Sequence, residues 1–397
     1  MSGAALALRA GPGNFRRRFL QGDLGSLRVI MSIALIWAIF QFEESRFLSA
    51  TNLTNLVLQI TAVGLISVGV VLVLLLGEID LSVGAVSGLT SALMAVLSVQ
   101  HGWSPYLAIA AAVLVGAGIG LFQGGIFNFF GVPSFVVTLA GLLAWQGFQL
   151  RVLGDTGTVN ITDPTINGLA GTFYSAAVGW VFAVVAIAAL AGTRLWSRHV
   201  RIRADLAAPP LAAVVFRIAI AAAAVIATVA VLNSDRGVPL AGLILVGFVL
   251  VFQYVTTRTR FGRHIYAVGG NAEAARRAGI SITRVRVMVF TLASSMAAVG
   301  GILAASRLLA VNQSSGGNNL LLLAIAGPVV AGTSLFGGRG SVWTALAGAV
   351  VIGSISNGMD LLALQSSIQF IVTGAVLLAA VVVDAIARKQ RVASGRV

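Results

Sequence analysis

The chain has 397 residues, 58% of them apolar and 10% charged, with a mean hydropathy of +0.98; soluble domains carry about 25% charged residues, so a soluble globular protein is excluded and an integral membrane protein is left. No cysteine is present, which excludes disulfides, thiolate metal sites and cysteine nucleophiles, and Lys389 is the only lysine among 26 basic residues, which excludes a Walker A loop, a kinase strand lysine and a Schiff-base lysine. The net charge of +14 gathers in a few short segments, a pattern of loop topology and not of nucleic-acid binding.

Residues 1–28, with Arg9, Arg16, Arg17, Arg18 and Arg28, read as a basic cytoplasmic segment. A bilayer-crossing helix needs about 20 mostly apolar residues, and windows of this kind follow near 29–42, 54–76, 81–99, 106–128, 135–153, 175–196, 211–232, 239–256, 286–309, 320–336, 341–359 and 367–387. None shows the alternation of a membrane barrel. The first is followed by Glu43-Glu44-Ser45-Arg46 and by no small-residue cleavage site, so it reads as an uncleaved helix. The window 81–99 is rich in small residues and follows two carboxylates, which makes it a candidate for a broken or re-entrant helix. The expectation is an all-α, polytopic membrane protein of about twelve (10–12) transmembrane helices, with a membrane domain over 29–387 and a basic cytoplasmic tail over 388–397.

Counting spans from a cytoplasmic start puts Arg194, Arg198, Arg201, Arg203, the basic run from Arg258 to Arg286, Arg339 and the tail inside. The loops 154–174, 233–238 and 310–319 fall outside with one arginine among them. A weak internal echo links Leu81, Gly84 and Ser87 to Leu335, Gly338 and Ser341. His101, His199 and His264 follow no metal-ligand spacing, and no metal or cofactor is assigned.

The largest polar stretch, 257–285, holds one short helix by its own chemistry. Asn271 is a good N-cap, Ala272 to Ala278 favour helix with Glu273 in the first turn and Arg276 and Arg277 near the end, and Gly279 suits the C-terminal stop. An ordinary basic loop that only fixes topology is the plain alternative; a capped helix with an alanine-rich face is also what a partner groove receives. Gly337-Gly-Arg-Gly340 lacks the lysine of a phosphate loop and reads as a tight turn.

"FGRHIYAVGGNAEAARRAGI" (261–280), "GEIDLSVGAVSG" (77–88), "VPSFVVTLAGLLAWQG" (132–147), "VGGILAASRL" (299–308) and "AGTSLFGGRGSV" (331–342) with Asn357-Gly358-Met359 together resemble sugar-transporting ABC importer permeases of the ribose and xylose type. The blocks cover the chain from about 52 to 387, and the helix pair near 175–232 is similar to the xylose branch. The resemblance implies the ABC importer permease fold in a prokaryotic inner or plasma membrane with both termini cytoplasmic. It implies as partners a separate cytoplasmic ATP-binding subunit, a periplasmic or lipid-anchored sugar-binding protein and a second permease copy, and it implies that this chain is not itself the enzyme. Residues matching its ATPase-coupling motif are Gly270, Asn271, Glu273, Ala274, Ala275 and Gly279. The substrate it implies is a monosaccharide, with pentoses such as xylose or ribose first.

Glu78 and Asp80 stand between apolar runs in a chain with twelve acidic residues. A charge at mid-bilayer costs on the order of 3 kcal/mol, so both are expected near a helix end. Three roles are open: holding a helix break, with Asp80 capping a helix that begins at Leu81; contacting sugar; or relaying protons, as in a proton-coupled secondary transporter, the alternative function. Gln59, Gln123, Asn128, Gln146, Gln149, Asn357 and Asp360 are further pathway candidates, with helix–helix hydrogen bonding as the plain alternative for each. An intramembrane enzyme would need a nucleophile and base or a metal cluster, and the spans present none. One departure stands out: where related permeases carry a glutamate and an aspartate before "AGTSL" and a lysine later, this chain has Leu321, Leu323 and Thr373.

Overall fold

The computed structural model of the protein describes residues 25–393. Arg9, Arg16, Arg17, Arg18 and Arg396, with the expected cytoplasmic placement of segments 1–24 and 394–397, lie outside the described residues.

Among the described residues the architecture is all-helical apart from four short strands. In chain order the elements are α1 (Gly25–Glu43), α2 (Ala50–Leu75), α3 (Val83–Val99), α4 (Pro105–Phe130), α5 (Ser134–Leu153), β1 (Thr158–Asn160), α6 (Pro164–Gly171), β2 (Phe173–Tyr174), α7 (Ala176–Arg203), α8 (Leu211–Asn233), β3 (Val238–Pro239), α9 (Leu240–Arg258), α10 (Arg260–Gly270), α11 (Ala272–Arg277), α12 (Ile282–Leu308), β4 (Ala310–Asn312), α13 (Asn318–Val330), α14 (Trp343–Leu361) and α15 (Ser366–Ala393). Local chemistry sets the ends. The Ser49, Ser104 and Ser281 side chains accept from the first-turn amides of α2, α4 and α12, and Gly131 closes α4 in the left-handed conformation that a residue without Cβ adopts freely.

Eight described helices are long and apolar enough to cross a bilayer: α2, α4, α5, α7, α8, α9, α12 and α14. Four of the twelve windows read from the sequence become shorter apolar helices, Val29–Glu43, Val83–Val99, Asn319–Val330 and Ser366–Ala379. Burial ranks the long helices. The most apolar window of α2 is 78% buried and that of α12 is 61% buried, whereas α7 and α8 are each 11% buried. An apolar helix exposed on nearly all sides faces lipid, so α7 and α8 form a peripheral pair around a core built on α2 and α12.

The short helix α3 is buried over most of its length. It follows the non-helical stretch 76–82, and its first residues abut the turn that precedes α13: Gly84 faces the Gly316 carbonyl and Leu321, and Gly88 packs on the Ser315 carbonyl and Gln149. The heads of two short helices therefore meet inside the bundle. Backbone that is not helical is tolerated there because protein surrounds it. Two expectations are corrected at this place. α3 begins at Val83, not Leu81, and its N-cap is Ser82, so Asp80 lies before the cap. The internal echo has no structural counterpart, because Gly84 is helical while Gly338 sits in an irregular connection at φ +69.

Strand pairing gathers the loops. β1 pairs antiparallel with β4 (Thr158↔Asn312) and β2 with β3 (Phe173↔Pro239), so the three loops assigned to one face, with one arginine among them, are stitched together. At the other end, Gly338 N donates to the Leu75 carbonyl at 2.9 Å, joining the 331–342 connection to the end of α2.

Candidate functional site

The basic polar stretch of the sequence becomes α10 and α11, two short helices at the end of the bundle opposite the strand pairs. α10 is amphipathic and buries Ile265 and Val268. A Cβ at Gly269 would collide with the Leu75 carbonyl oxygen, so glycine is what lets α10 lie backbone to backbone on the end of α2. The Tyr266 hydroxyl donates to the Gly340 carbonyl at 3.0 Å. Burial raises this phenol above its usual range against an opposing hydrogen bond with Thr256, which keeps it a protonated donor.

α11 has the cap read from the sequence: Asn271 Oδ1 accepts from Ala274 N at 2.9 Å. Gly279 follows at φ +83, and the amides of Gly279 and Ile280 close the helix on the Arg276 and Ala275 carbonyls. Glu273 lies 3.4 Å from Arg276 and 3.3 Å from Arg277, exposed pairs that contribute about 0–1 kcal/mol each. Gly270, Asn271, Glu273, Ala274 and Gly279 are accessible or nearly so, whereas Ala275 is 4% exposed. Ala275 therefore anchors α11 from within and does not present its methyl group to a partner.

Immediately behind α11, Arg286 in the first turns of α12 makes a 2.7 Å ion pair with Glu78. Ser134 Oγ donates to the second Glu78 oxygen at 2.7 Å, and the guanidinium lies 5.8 Å from the centre of the Phe127 ring. Both charges line a cavity of about 580 Å³ with Asn128, Ser134, Arg276 and Thr283. Two residues beyond Glu78, Asp80 is 4% exposed and Oδ1 accepts from both Ser82 N (2.8 Å) and Ser82 Oγ (2.7 Å). Ser82 Oγ is 3.0 Å from Gln123 Oε1, and Leu81 N donates to Thr138 Oγ1 at 3.1 Å. Asp80 Oδ2, the Gln123 amide nitrogen and the Trp145 indole nitrogen are buried with no hydrogen-bond partner among the described residues.

A second polar cluster lies toward the strand-paired end. Asp360 accepts from Gln59 at 3.2 Å and from Gln369 at 3.1 Å, and its charge acts on Arg307 near the end of α12. Gln59 and Arg307 line a cavity of about 310 Å³ with Ser87, Ser91, Asn319 and Gly317.

The pathway candidates of the sequence thus divide. Gln59 joins Asp360, and Asp80 joins Gln123 through Ser82. Asn357 is spent on Asn52, with mutual hydrogen bonds of 2.7 and 3.1 Å, and Gln149 holds the Asn312 and Ser315 carbonyls; both glue the structure together. Asn128 donates to Gly124 O within its own helix while lining the larger cavity, and Gln146 is half-buried on α5 and lines neither cavity. Sequence reasoning missed Arg286 and Arg307 as site residues. A lone arginine at the end of an apolar run, as at 307, is the signal that marks it.

The family model described as "Branched-chain amino acid transport system / permease component" matches residues 52–381. The xylose transport system permease protein XylH of Escherichia coli K12 is 38% identical over 92% of this chain and 93% of its own length. The ribose import permease protein RbsC of Bacillus subtilis 168 is 31% identical over 93% of this chain and 95% of its own. The probable ABC transporter permease protein YphD of E. coli K12 is 29% identical over 97% and 96%. No solved structure matches the chain. A family match that starts at the head of α2 and runs into α15, with relatives aligned end to end, leaves one assignment: the chain belongs to the family of transport-system permease components.

Proposed function

We propose that this protein is the membrane-spanning subunit of an ATP-driven importer for a monosaccharide, with xylose and ribose the first substrates to test. The observation that carries the reading is the capped helix α11, held rigidly on the end of α2 through α10 and presenting Gly270, Asn271, Glu273, Ala274 and Gly279 outward. Such a helix is suited to a groove in a separate cytoplasmic ATP-binding subunit, and full-length similarity to a xylose and a ribose permease supports the sugar assignment. Hydrolysis then belongs to that partner, and a binding protein delivers sugar at the strand-paired face.

In this reading the membrane domain spans 29–387 with both ends cytoplasmic, 257–285 is the coupling segment and 388–397 a cytoplasmic tail. The four shorter apolar helices add partial or tilted crossings to the eight full ones. A second permease copy faces this one to enclose the path. Gln59, Ser91, Arg307 and Asn319 offer amide, hydroxyl and guanidinium groups in one cavity, with Asp360 behind Gln59, a donor and acceptor set that fits sugar hydroxyls.

The test is purification from its native membranes, recording whether a separate ATPase polypeptide comes along, followed by uptake into proteoliposomes. A retained ATPase and ATP-dependent uptake of xylose or ribose, with no uptake of leucine, is the expected result. ATP-independent uptake driven by a proton gradient would replace this reading with the secondary transporter, and leucine uptake would move the substrate class to amino acids.

A further inference from the structure

We infer that Glu78 and Arg286 are the positioning pair that couples movement of α11 to the head of α3. The inference rests on the reading that α11 docks on an ATP-binding subunit.

Arg286 stands on the far side of the Ala278–Ser281 corner from α11, one turn into α12, so a push on α11 reaches it through a few residues of backbone. Its guanidinium is tied at 2.7 Å to Glu78, which Ser134 of α5 holds from the other side at 2.7 Å. From Glu78 the non-helical chain runs directly to Asp80, Ser82 and the first turn of α3. Beyond Ser134, Thr138 ties this stretch to α5, its Oγ1 accepting from Leu81 N at 3.1 Å and lying 3.4 Å from the Ile79 carbonyl. The pair is thus a direct side-chain link between the α12 end of the docking segment and the stretch that leads into α3, beside the backbone contact of α10 with the end of α2.

Two further observations favour a link that changes state over a fixed brace. The pair opens on a cavity of about 580 Å³ at the α11 end, so its charges can separate without entering lipid. At the other end of the path, Asp80 Oδ2 and the Gln123 amide nitrogen are buried and unpartnered. A buried polar group left unpaired costs about 1–3 kcal/mol, and moving the 79–82 stretch is what would give these groups new partners. Since α3 begins where the turn before α13 meets it, and Ser87 and Ser91 of α3 line the smaller cavity, such a movement reaches the proposed sugar path.

The experiment uses the permease with its ATP-binding subunit and binding protein in proteoliposomes, recording sugar transported and ATP hydrolysed in the same samples. Glu78→Gln, Arg286→Gln and the double Glu78→Gln/Arg286→Gln should each retain the ATPase and hydrolysis while sugar moved per ATP falls about tenfold, within the range of measured coupling between sites. The swap Glu78→Arg/Arg286→Glu should recover most of the ratio. The double neutral variant leaves no unpaired charge, so it separates coupling from folding. A normal ratio in that variant, or a swap as poor as the single variants, overturns the inference while the importer reading stands. Failure of the unsubstituted protein to retain an ATPase overturns both.

Discussion

Asn52 on α2 and Asn357 on α14 exchange hydrogen bonds inside the bundle, Asn52 Nδ2 to Asn357 Oδ1 at 2.7 Å and Asn357 Nδ2 to Asn52 Oδ1 at 3.1 Å. Asn52 also donates to the Phe47 carbonyl at 2.8 Å, so one amide pair fixes α2, α14 and the chain entering α2. Replacing one partner leaves the other buried amide unpaired, at about 1–3 kcal/mol. Asn357→Leu should therefore lower the unfolding temperature in detergent and leave the KM for sugar unchanged, while Asn52→Leu/Asn357→Leu should recover part of the stability. A raised KM in Asn357→Leu with normal stability would return Asn357 to the sugar path.

The α11 cap gives a sharper test of docking. Asn271→Ala removes the acceptor for Ala274 N and should cost about 1 kcal/mol of local helix stability; Asn271→Asp keeps the acceptor. Membrane insertion should be normal in both, with uptake and ATPase retention reduced in Asn271→Ala alone. Equal retention in the two would show that the partner does not depend on a formed α11.

Neighbouring alanines separate docking from folding. Ala274 is exposed and Ala275 is 4% exposed. Ala274→Trp should leave the protein folded and displace the ATPase, whereas Ala275→Asp, which buries an unpaired carboxylate, should reduce folded protein itself. Size-exclusion profiles of the two variants, with and without the ATPase, read the difference.

How far the sequence reveals this arrangement depends on the kind of signal. The α11 boundaries were legible because Asn271, Glu273 and Gly279 act within one turn of the backbone they cap. The helix windows were legible from hydropathy, but not their lengths, since the run 81–99 is apolar whether its start is extended or helical. The pairings Glu78–Arg286, Asn52–Asn357 and Gln59–Asp360 join distant segments, and in a membrane protein core-facing and lipid-facing sides are both apolar, so periodicity does not show which polar residue faces which. Asp80 illustrates the limit: it reads as the cap of a helix beginning at Leu81, whereas the helix begins at Val83, with the Leu81 amide taken by Thr138 and the Ser82 amide by Asp80.

The Asp360 cluster yields a prediction about substrate. Asp360 accepts from Gln59 and Gln369, and Gln59 lines a cavity of about 310 Å³ with Arg307. Arg307→Gln leaves Asp360 its two amide partners and removes a fixed charge from the cavity wall. Sugar uptake at saturation should persist with a KM raised about tenfold, the equivalent of 1.4 kcal/mol of binding. A change in the maximal rate alone, with KM unaltered, would place Arg307 outside the sugar path.

The last prediction concerns Leu321, Leu323 and Thr373, where the resemblance implies two acids and a base. Leu321 is 6% exposed, belongs to an apolar cluster with Val83, Val86 and Leu89 of α3, and packs on Gly84, where the heads of α3 and α13 meet. Leu323 and Thr373 are half-buried, and α13 packs against α15, which carries Thr373. A carboxylate at 321 would enter an apolar cluster, and a buried charge left without a partner costs about 3–5 kcal/mol. Leu321→Glu should accordingly reduce membrane-inserted, folded protein more than Leu323→Asp, whose site is less enclosed. If the missing acids and the missing base formed one network, the triple Leu321→Glu/Leu323→Asp/Thr373→Lys should restore insertion that the single variants lose. Quantifying inserted protein by membrane fractionation decides it: recovery in the triple shows that both signs were lost together, and a triple as poor as Leu321→Glu shows that the apolar head contact between α3 and α13 is itself what this chain requires at 321.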